Sequence, residues 1–395
     1  MMVANLLIKI LNNPDGSVYQ PGQTIQACVQ LFMSERHCVK RIYVKFKGKG
    51  QTSWSSGSVR NRTYHGETER YFKSQITLLE AIDDDYFELQ PGDFEYPVDF
   101  VLPIDLPSSF VGLHGSVRYH IKAKMEVKGG EVYRVKFPFK VKYMLNLNSI
   151  SGAKLPVQIE GTKTGCCCCC KIGPVTCKMW LDRQGYVPGE SIYINAEVTN
   201  NGTSLIHKIS VSLVMTSIFK AYGDKKMDRK VVSSVSHGTI GPGEKDIWNG
   251  DQLDVPPTPS SYLYRCTIID IQYTCQLAVE VEGSLLNIVF DLPIVIGTIP
   301  LHDDGNVRPH RSASSPLVQN WNLLSEQTDN TAITSQPGQY QVTGRYQVTG
   351  RYQVTASLNY ERFTKTDKVR RMNQKNKTGD FTDITNLQPQ KVTTV

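Results

Sequence analysis

A run of five consecutive cysteines is the densest group of reactive side chains in the sequence. It consists of Cys166, Cys167, Cys168, Cys169 and Cys170. Adjacent thiols on an exposed segment suit S-palmitoylation, which adds hydrocarbon and helps to anchor a protein at a membrane. A zinc site would instead need cysteine pairs spaced so that the ligands converge. Burial of some of these thiols as small apolar groups is a third interpretation. We retain the run as a candidate lipidation site.

A second group of residues is basic and has the spacing of a β-strand. Lys45, Lys47 and Lys49 alternate with Val44 and Phe46, so the three amines would share one face of an extended chain. Such a face could bind the phosphates of a modified cargo tail or of phosphoinositide headgroups. The alternative is an ordinary solvated face that protects an edge strand from aggregation. We retain the three lysines as a candidate site for an anionic partner.

The C-terminal part of the sequence contains a short repeat and one possible signal. Tyr-Gln-Val-Thr-Gly-Arg occurs at residues 340–345 and 346–351, and a third, partial copy begins at Tyr352. The repeat is either a multivalent ligand or an expansion without a role. Tyr360 and Phe363 have the spacing of a Tyr-x-x-bulky endocytic sorting signal. Both features are hypotheses about partners of the tail.

Motifs of the common enzyme classes are missing from the sequence. It has no phosphate-binding Gly-rich loop with Lys-Ser or Lys-Thr, no His-Glu-x-x-His and no Gly-x-Ser-x-Gly after a strand. Its eight histidines do not cluster with the spacing of metal ligands. We therefore expect no catalytic residue, no metal, no cofactor and no enzyme activity, with an unrecognised type of enzyme as the remote alternative. The net charge of +7 is spread out, so we expect no nucleic-acid partner.

Composition also bears on where the protein works. No stretch approaches the ~20 apolar residues of a membrane-spanning helix. The N-terminal apolar run is short, is interrupted by Asn5 and Lys9, and lacks the features of a signal peptide. The ten cysteines do not form the pattern of a secreted disulfide framework. We expect a cytoplasmic protein, with association to the plasma membrane and endosomes.

The elements that must position these residues come from a duplicated domain. Residues 19–25 read Tyr-Gln-Pro-Gly-Gln-Thr-Ile, and residues 186–192 read Tyr-Val-Pro-Gly-Glu-Ser-Ile, 167 positions later. Three further matches follow in the same order with smaller separations, as loops of different length would produce. They pair 91–92 with 242–243, 107–109 with 259–261, and 117–127 with 271–281. The sequence therefore predicts two copies of one fold.

Each copy consists of short segments in which apolar residues recur at every second position, separated by Pro-Gly and Asn-Gly turn signals. Many short strands of this kind are typical of a β-sandwich. We predict an all-β protein with a first sandwich over residues 1–150 and a second over 173–301. A Cys-rich linker over 151–172 would join them, and a flexible, disordered tail with the repeats would occupy 302–395.

The chain resembles the arrestin-domain-containing proteins, the α-arrestins. In the first copy the resemblance is carried by Phe-Val-Leu-Pro at 100–103, Leu-Pro-Ser-Ser-Phe at 106–110 and Val-Arg-Tyr-His-Ile-Lys-Ala at 117–123. In the second copy it is carried by Gly-Tyr-Val-Pro-Gly-Glu-Ser-Ile at 185–192 and by the segment 291–301. The resemblance covers about residues 4–301 and implies two tandem immunoglobulin-like arrestin sandwiches.

The resemblance also implies a function. Family members are adaptors that bind membrane-protein cargo, such as receptors or transporters, and link it to ubiquitin ligation, endocytosis or endosomal sorting. Most recruit ligases through Pro-Pro-x-Tyr motifs that dock on WW domains. This chain has no such motif, because its Pro256-Pro257 pair is followed by Pro259 where the tyrosine should stand.

One relative in the family points to an alternative function. Thioredoxin-interacting protein forms a mixed disulfide with thioredoxin, and Cys266, Cys275 or the cysteine run could act in this way here by thiolate exchange. The alternative expectation is therefore a redox regulator.

Overall fold

A computed structural model describes residues 4–13, 18–82, 85–167, 170–284 and 287–302. It also describes the backbone of residues 348–349, 352–353 and 358–361, and side chains are not described for 165–172 or for the tail. Almost all of these residues lie in β-strands or the turns between them. In this part of the chain no helix is both long and apolar enough to cross a membrane.

The strands of the first sandwich are β1 (Ala4–Ile10), β2 (Val18–Tyr19), β3 (Thr24–Met33), β4 (His37–Ser58), β5 (Asn61–Ala81), β6 (Phe87–Leu89), β7 (Gly92–Val101), β8 (Phe110–Gly112), β9 (Gly115–Val127) and β10 (Val132–Val141). A 3₁₀ turn follows at Leu147–Ser149. The strands of the second sandwich are β11 (Val157–Cys167), β12 (Cys170–Leu181), β13 (Gly185–Tyr186), β14 (Ser191–Asn200), β15 (Ile206–Ala221), β16 (Asp224–His237), β17 (Lys245–Asp254), β18 (Ile269–Val281) and β19 (Ile288–Ile296). The tail contributes β20 (Val348–Thr349), β21 (Tyr352–Gln353) and β22 (Leu358–Glu361).

The two sandwiches repeat one topology. In the first, a sheet of order β1-β3-β7 faces a sheet whose main path is β2-β10-β9-β4-β5. In the second, β12-β14-β17 and β13-β19-β18-β15-β16 have the same order, and β11 adds one strand at the edge. The short strands β2 and β13 both pair parallel to the last strand of their sandwich. The prediction of two tandem β-sandwiches is confirmed.

The duplication extends to single hydrogen bonds. Tyr119 donates its hydroxyl proton to the carbonyl of Pro107 at 2.6 Å, and Tyr273 donates to the carbonyl of Pro259 at 2.7 Å. The carbonyl lies 12 residues upstream in the first sandwich and 14 in the second, so each hydroxyl fixes the corner between the preceding loop and the strand that carries the tyrosine. The matched Pro-Ser-Ser and Tyr segments of the sequence repeat therefore form the same corner twice.

The alternation of residue types sorts side chains between core and solvent. In β14 every second residue is buried, and β18 follows the same pattern. The inner faces meet in close contacts such as the stacking of Phe46 on Phe100, whose ring centroids lie 4.2 Å apart. Burial of apolar area of this kind is the main term that stabilises each sandwich.

The segment between the sandwiches differs from the predicted linker over residues 151–172. β11 and β12 pair from Val157 with Leu181 to Cys167 with Cys170, and β12 also pairs with β14. This part of the chain therefore belongs to the second sandwich. The alternating residues of 157–163 have the period of a strand, but the glycines and cysteines that follow carry no apolar alternation, so the sequence suggested a linker.

A long hairpin connects the sandwiches in space. β4 has 22 residues and β5 has 21, and they stay paired to the turn at Ser58 and Asn61. The distal half of the hairpin contacts the second sandwich. Thr52 donates to the carbonyl of Lys220 at 2.9 Å, and the Glu69 carboxylate accepts from the backbone N–H of Thr267 at 2.9 Å.

Candidate anion-binding site

Four neighbouring strands bring basic residues onto one outer surface of the first sandwich. Because directly paired residues of adjacent strands lie on the same face of a sheet, the register of β10, β9, β4 and β5 identifies them. We call this surface the cationic face; it consists of Lys45, Lys47, Lys49, Arg70, Lys73, Arg118, His120, Lys122, Lys124, Arg134 and Lys136.

The face has the order of a grid. Its rows across the strands are Lys136–Lys122–Lys45, His120–Lys47–Lys73, Arg118–Lys49–Arg70 and Arg134–Lys124–Tyr43. Neighbouring strands are about 4.8 Å apart, and successive residues on one face of a strand are about 7 Å apart. Alternate residues of an extended peptide have the latter spacing, so its phosphates or carboxylates would match the rows.

Tyr43 lies at one end of the grid and anchors three cations. The Nζ of Lys45 lies 4.6 Å from the centre of its ring, the Nζ of Lys124 lies 5.8 Å away, and the guanidinium carbon of Arg41 lies 5.0 Å away. The hydroxyl of Tyr43 donates to Glu126 at 2.8 Å, and the Nε of Arg41 donates to the same carboxylate at 2.6 Å. Cation–π contacts and these hydrogen bonds hold this end of the face in place.

The charges of the face repel one another. Burial, followed by the positive charges of Lys124 and Lys47, lowers the pKa of Lys45. Burial and then Lys122 and Lys73 lower the pKa of Lys47. Every electrostatic neighbour that shifts these two pKa values is a cation. An anion bound here would relieve this repulsion, which is a favourable contribution that an isolated surface lysine lacks.

The pKa of His120 is affected by the same group of positive charges. Burial, then Lys136 and Lys47, lower the pKa of His120 to about 4. Its ring is therefore neutral at physiological pH and stands within the positive grid. Lys45, Lys47 and Lys122 are only half exposed, although they lie on the outer surface. Their aliphatic stems pack together while the ammonium groups reach solvent.

The second sandwich provides an internal comparison for the face. On its two central strands, β15 and β18, the matching positions are occupied by neutral residues, whereas on the flanking strands Arg70 corresponds to Arg229 and Lys136 to Asp291. The pair Lys45–Lys122 corresponds to the pair Ser212–Gln276, and the pair Lys47–His120 corresponds to Val214–Thr274. The pair Lys49–Arg118 corresponds to Thr216–Gln272, and the pair Tyr43–Lys124 corresponds to Ser210–Ala278. The fold therefore does not require cations at these positions.

Sequence reasoning found one strand of this site and missed the others. Lys45, Lys47 and Lys49 lie on the outer face, as their alternation predicts. Lys122 and Lys124 alternate with Ile121 and Ala123 in the same way, which is a signal that the sequence does contain. The sequence does not show the strand register that places β9 and β10 beside β4. The role of the three lysines in binding stays a prediction.

The other sequence candidates are not members of this face. Cys166, Cys167 and Cys170 lie at the closed end of the β11–β12 hairpin, and Cys168 and Cys169 lie outside the described residues. Tyr360 belongs to β22, of which the backbone is described, and Phe363 lies outside the described residues. Lipidation and the sorting signal both stay predictions.

The thiols proposed for disulfide exchange lie in buried surroundings. Cys275 pairs with Leu213 where Ile121 pairs with Phe46 in the first sandwich, so it occupies a core position. Burial raises the pKa of its thiol to about 12 and raises that of Cys266 to about 11. Both thiols are therefore protonated at neutral pH, which makes them poor nucleophiles.

Comparisons with known proteins match both sandwiches. The family described as "Arrestin (or S-antigen), N-terminal domain" matches residues 8–148, and the family described as "Arrestin (or S-antigen), C-terminal domain" matches residues 171–301.

Relatives of similar length span both regions. Arrestin domain-containing protein 4 of Homo sapiens is 29% identical over 316 residues, which cover 78% of this chain and 74% of that protein. Arrestin domain-containing protein 17 of Caenorhabditis elegans is 27% identical over 357 residues, covering 84% and 81%. Thioredoxin-interacting protein of Mus musculus is 27% identical over 296 residues, covering 73% and 72%.

Proposed function

The chain belongs to the arrestin-domain family, and from this premise we propose that it is a non-catalytic adaptor in intracellular protein transport. Its cationic face binds the cytoplasmic segments of membrane-protein cargo. Other surfaces link that cargo to endocytic, endosomal-sorting or ubiquitination machinery. The adaptor acts in the cytoplasm, at the plasma membrane and at endosomes.

One observation carries the proposal for the cationic face. The sheet of the second sandwich has the same strand order and register, yet its two central strands, β15 and β18, have serine, threonine, glutamine, valine or alanine where β4 and β9 have cations. Placing like charges in adjacent positions of a sheet destabilises it. A protein that keeps them in one copy only gains something other than stability from them, and binding of an anionic partner accounts for this.

The geometry favours an extended phosphorylated peptide as that partner. The rows of the grid follow the spacing of alternate residues in an extended chain. Phosphate groups accept several charge-assisted hydrogen bonds from Lys and Arg, and each is stronger than a neutral hydrogen bond. A cargo tail that carries phosphates at alternate residues fits this arrangement.

Grafting residues from the second sandwich onto the face tests the proposal. In the full chain, Lys45→Ser, Lys122→Gln and Lys124→Ala are combined, because the equivalent positions of the second sandwich tolerate these residues. Fluorescence anisotropy then measures the affinity for a labelled peptide with three phosphoserines at alternate positions. We expect the affinity to fall about 100-fold, since several charge-assisted contacts are lost.

The matched control removes the same number of charges elsewhere. Lys225→Ser, Lys226→Ser and Lys230→Ser lie on exposed positions of β16, outside the cationic face. This variant should bind the peptide within twofold of the unchanged protein at ~0.15 M salt, where distant surface charges are screened. Equal losses in both variants would show that only net charge matters and would contradict the proposal. Binding of the protein to phosphoinositide vesicles but not to the peptide would show that the partner of the cationic face is a membrane surface, and it would overturn the phosphorylated peptide as the partner.

A redox role is the second candidate function. It is supported by similarity to a relative named Thioredoxin-interacting protein. The burial of Cys266 and Cys275 and their raised pKa values weigh against it, because exchange requires an accessible thiolate. The adaptor role is therefore the function that the site supports best.

A further inference from the structure

The tip of the β4–β5 hairpin extends beyond the sheet of the first sandwich. β4 pairs with β9 as far as Thr52, and from there to the turn at Ser58 and Asn61 the described strands β4 and β5 pair with each other alone. Every residue from 55 to 64 is exposed. A two-stranded hairpin without a third strand is marginally stable in water. The tip can therefore open locally while both sandwiches stay folded.

The returning strand of the tip has the sequence of a kinase substrate. Residues 60–64 read Arg-Asn-Arg-Thr-Tyr. Basophilic protein kinases bind an extended segment, and their carboxylates select an arginine three residues before the target hydroxyl through charge-assisted hydrogen bonds. Arg60 has this relation to Thr63, and both side chains are exposed. In the described parts of the chain, no other arginine has a serine or threonine three residues after it.

Ser233 provides a comparison within the same chain. Lys230 precedes it by three residues, so it also has a cation at the selected position. Its hydroxyl, however, donates to the carbonyl of Asp254 at 2.6 Å, and its strand β16 is paired with β15 along the sheet. The Thr63 hydroxyl has no hydrogen-bond partner within the described residues. Of the two hydroxyl groups, only that of Thr63 is presented to an enzyme.

Thr63 lies on the face of the tip that holds the second sandwich. Thr63 pairs with Ser56 and His65 pairs with Trp54, so the four side chains share one face. The Nε2 of His65 lies 2.7 Å from the hydroxyl oxygen of Ser56, its Nδ1 lies 3.1 Å from the carboxylate of Asp224, and its ring stacks on that of Trp54. A group added to Thr63 therefore stands beside the contact between the hairpin and the β15–β16 turn.

We propose that Thr63 is a phosphorylation site and that its phosphate weakens this contact. The Oγ1 of Thr63 forms a bond to the γ-phosphorus of ATP, the bond from that phosphorus to the β–γ bridging oxygen breaks, ADP leaves, and the hydroxyl proton is released. The phosphate adds a charge of about −1.5 to −2. It repels the carboxylate of Asp224 and competes with it for the ring of His65. The proposal goes beyond the adaptor function, because it requires neither cargo nor the cationic face.

Incubation of the full chain with purified protein kinase C, a basophilic kinase, and ATP with Mg²⁺ tests the site. Mass spectrometry of the digested protein should locate a phosphate on Thr63 and find Ser233 unmodified. We expect Arg60→Gln to slow the modification of Thr63 about tenfold, because the enzyme loses the cation that it selects. Arg62→Gln is the matched control, since it removes the same charge from the same tip, and it should slow the reaction by no more than about twofold.

Hydrogen–deuterium exchange tests the effect on the contact. The backbone N–H of Tyr222 donates to the Glu67 carboxylate at 3.1 Å, which joins the β15–β16 turn to the hairpin. We expect this amide to exchange roughly fivefold faster in the phosphorylated protein, because the contact opens more often. Thr63→Val treated with the same kinase should exchange like the untreated protein.

Each outcome decides one part of the proposal. A phosphate on Thr63 of the native protein, together with faster exchange at Tyr222, supports both parts. Modification of Thr63 only after denaturation, or equal slowing by Arg60→Gln and Arg62→Gln, overturns the site. Unchanged or slower exchange at Tyr222 in the phosphorylated protein overturns the weakening of the contact.

Discussion

At the scale of single residues, His237 bridges the two sheets of the second sandwich. Its Nδ1 lies 2.9 Å from a carboxylate oxygen of Asp246, its Nε2 lies 3.0 Å from one of Asp251, and its ring stacks on Trp248 at 3.8 Å. Burial alone would lower the pKa of the ring, but the hydrogen bonds to Asp251 and Asp246 outweigh it and the pKa is raised. Both ring nitrogens contact carboxylates of β17, and the protonated ring ties β16 to β17 most strongly.

This bridge makes stability depend on pH. Because the folded pKa of His237 lies above the ordinary value of 6.5, its contribution is complete below pH 6.5 and is lost as pH rises through the folded pKa. We expect His237→Gln to cost about 1 kcal/mol more at pH 5.5 than at pH 9, since hydrogen bonds to charged groups are the ones lost. Urea unfolding of both proteins at the two pH values measures this. An equal cost at both would show that the charge of His237 contributes nothing.

The buried thiols give a second prediction at this scale. Cys38 is exposed, whereas Cys275 is buried and Cys266 is partly buried beside Tyr71, whose hydroxyl lies 3.2 Å from the sulfur. We expect iodoacetamide to label Cys38 within minutes in the native protein and to leave Cys266 and Cys275 unlabelled until the protein is denatured, because the thiolate is the reacting species. Mass spectrometry of the labelled peptides measures this. Rapid native labelling of Cys266 or Cys275 would restore the redox alternative.

At the scale of elements, the duplicated corners show how one local structure serves both sandwiches. Tyr119 and Tyr273 each use a hydroxyl to hold a backbone carbonyl, and both side chains are buried. Replacing either by Phe leaves that carbonyl without this donor in an apolar environment. A single buried hydrogen bond of this kind contributes on the order of 1 kcal/mol.

The corners should act independently. We expect Tyr119→Phe and Tyr273→Phe each to lower the free energy of unfolding of its own sandwich by about 1–2 kcal/mol. Because they lie in different sandwiches and share no partner, the effects should add in the double variant. Thermal unfolding followed by calorimetry provides the measurement. A much larger loss in the double variant than the sum would indicate that the corners are coupled.

Much of this level of structure could be predicted from the sequence. The Pro-Gly turns, the period-two segments and the repeat around Tyr19 and Tyr186 indicated two sandwiches because each reflects local backbone preference. The outer position of Lys45 followed from the same alternation. Pairing could not be predicted, because Lys45 and Lys122 are far apart in sequence and only register brings them together. The bridge at His237 was missed for the same reason, since it joins strands of different sheets.

At the scale of the whole molecule, the contacts between the sandwiches concentrate on the β4–β5 hairpin and a few loops. His65 lies 3.1 Å from Asp224, and the ring of Tyr143 stacks on that of Tyr264 at 4.5 Å. Glu69 accepts from both the backbone N–H and the hydroxyl of Thr267. Phe219 of the second sandwich also packs against the rings of Phe110 and His114, so the contacts between the sandwiches combine polar and aromatic side chains.

The hairpin spans roughly 70 Å if its 22-residue strand is fully extended. Its pairing shifts register between Gly48 and Lys49, within the part of β4 that still pairs with β9 and that extends to Thr52. Gly48 is required there, because a Cβ would meet the rings of Phe72 and Tyr119 at 2.6 Å. Such irregularities increase local twist and bend a ribbon. The hairpin is therefore a long paired ribbon whose twist changes beside Lys47 and Lys49. A ligand that alters the twist at this position would displace the distal end of the hairpin, which contacts the second sandwich.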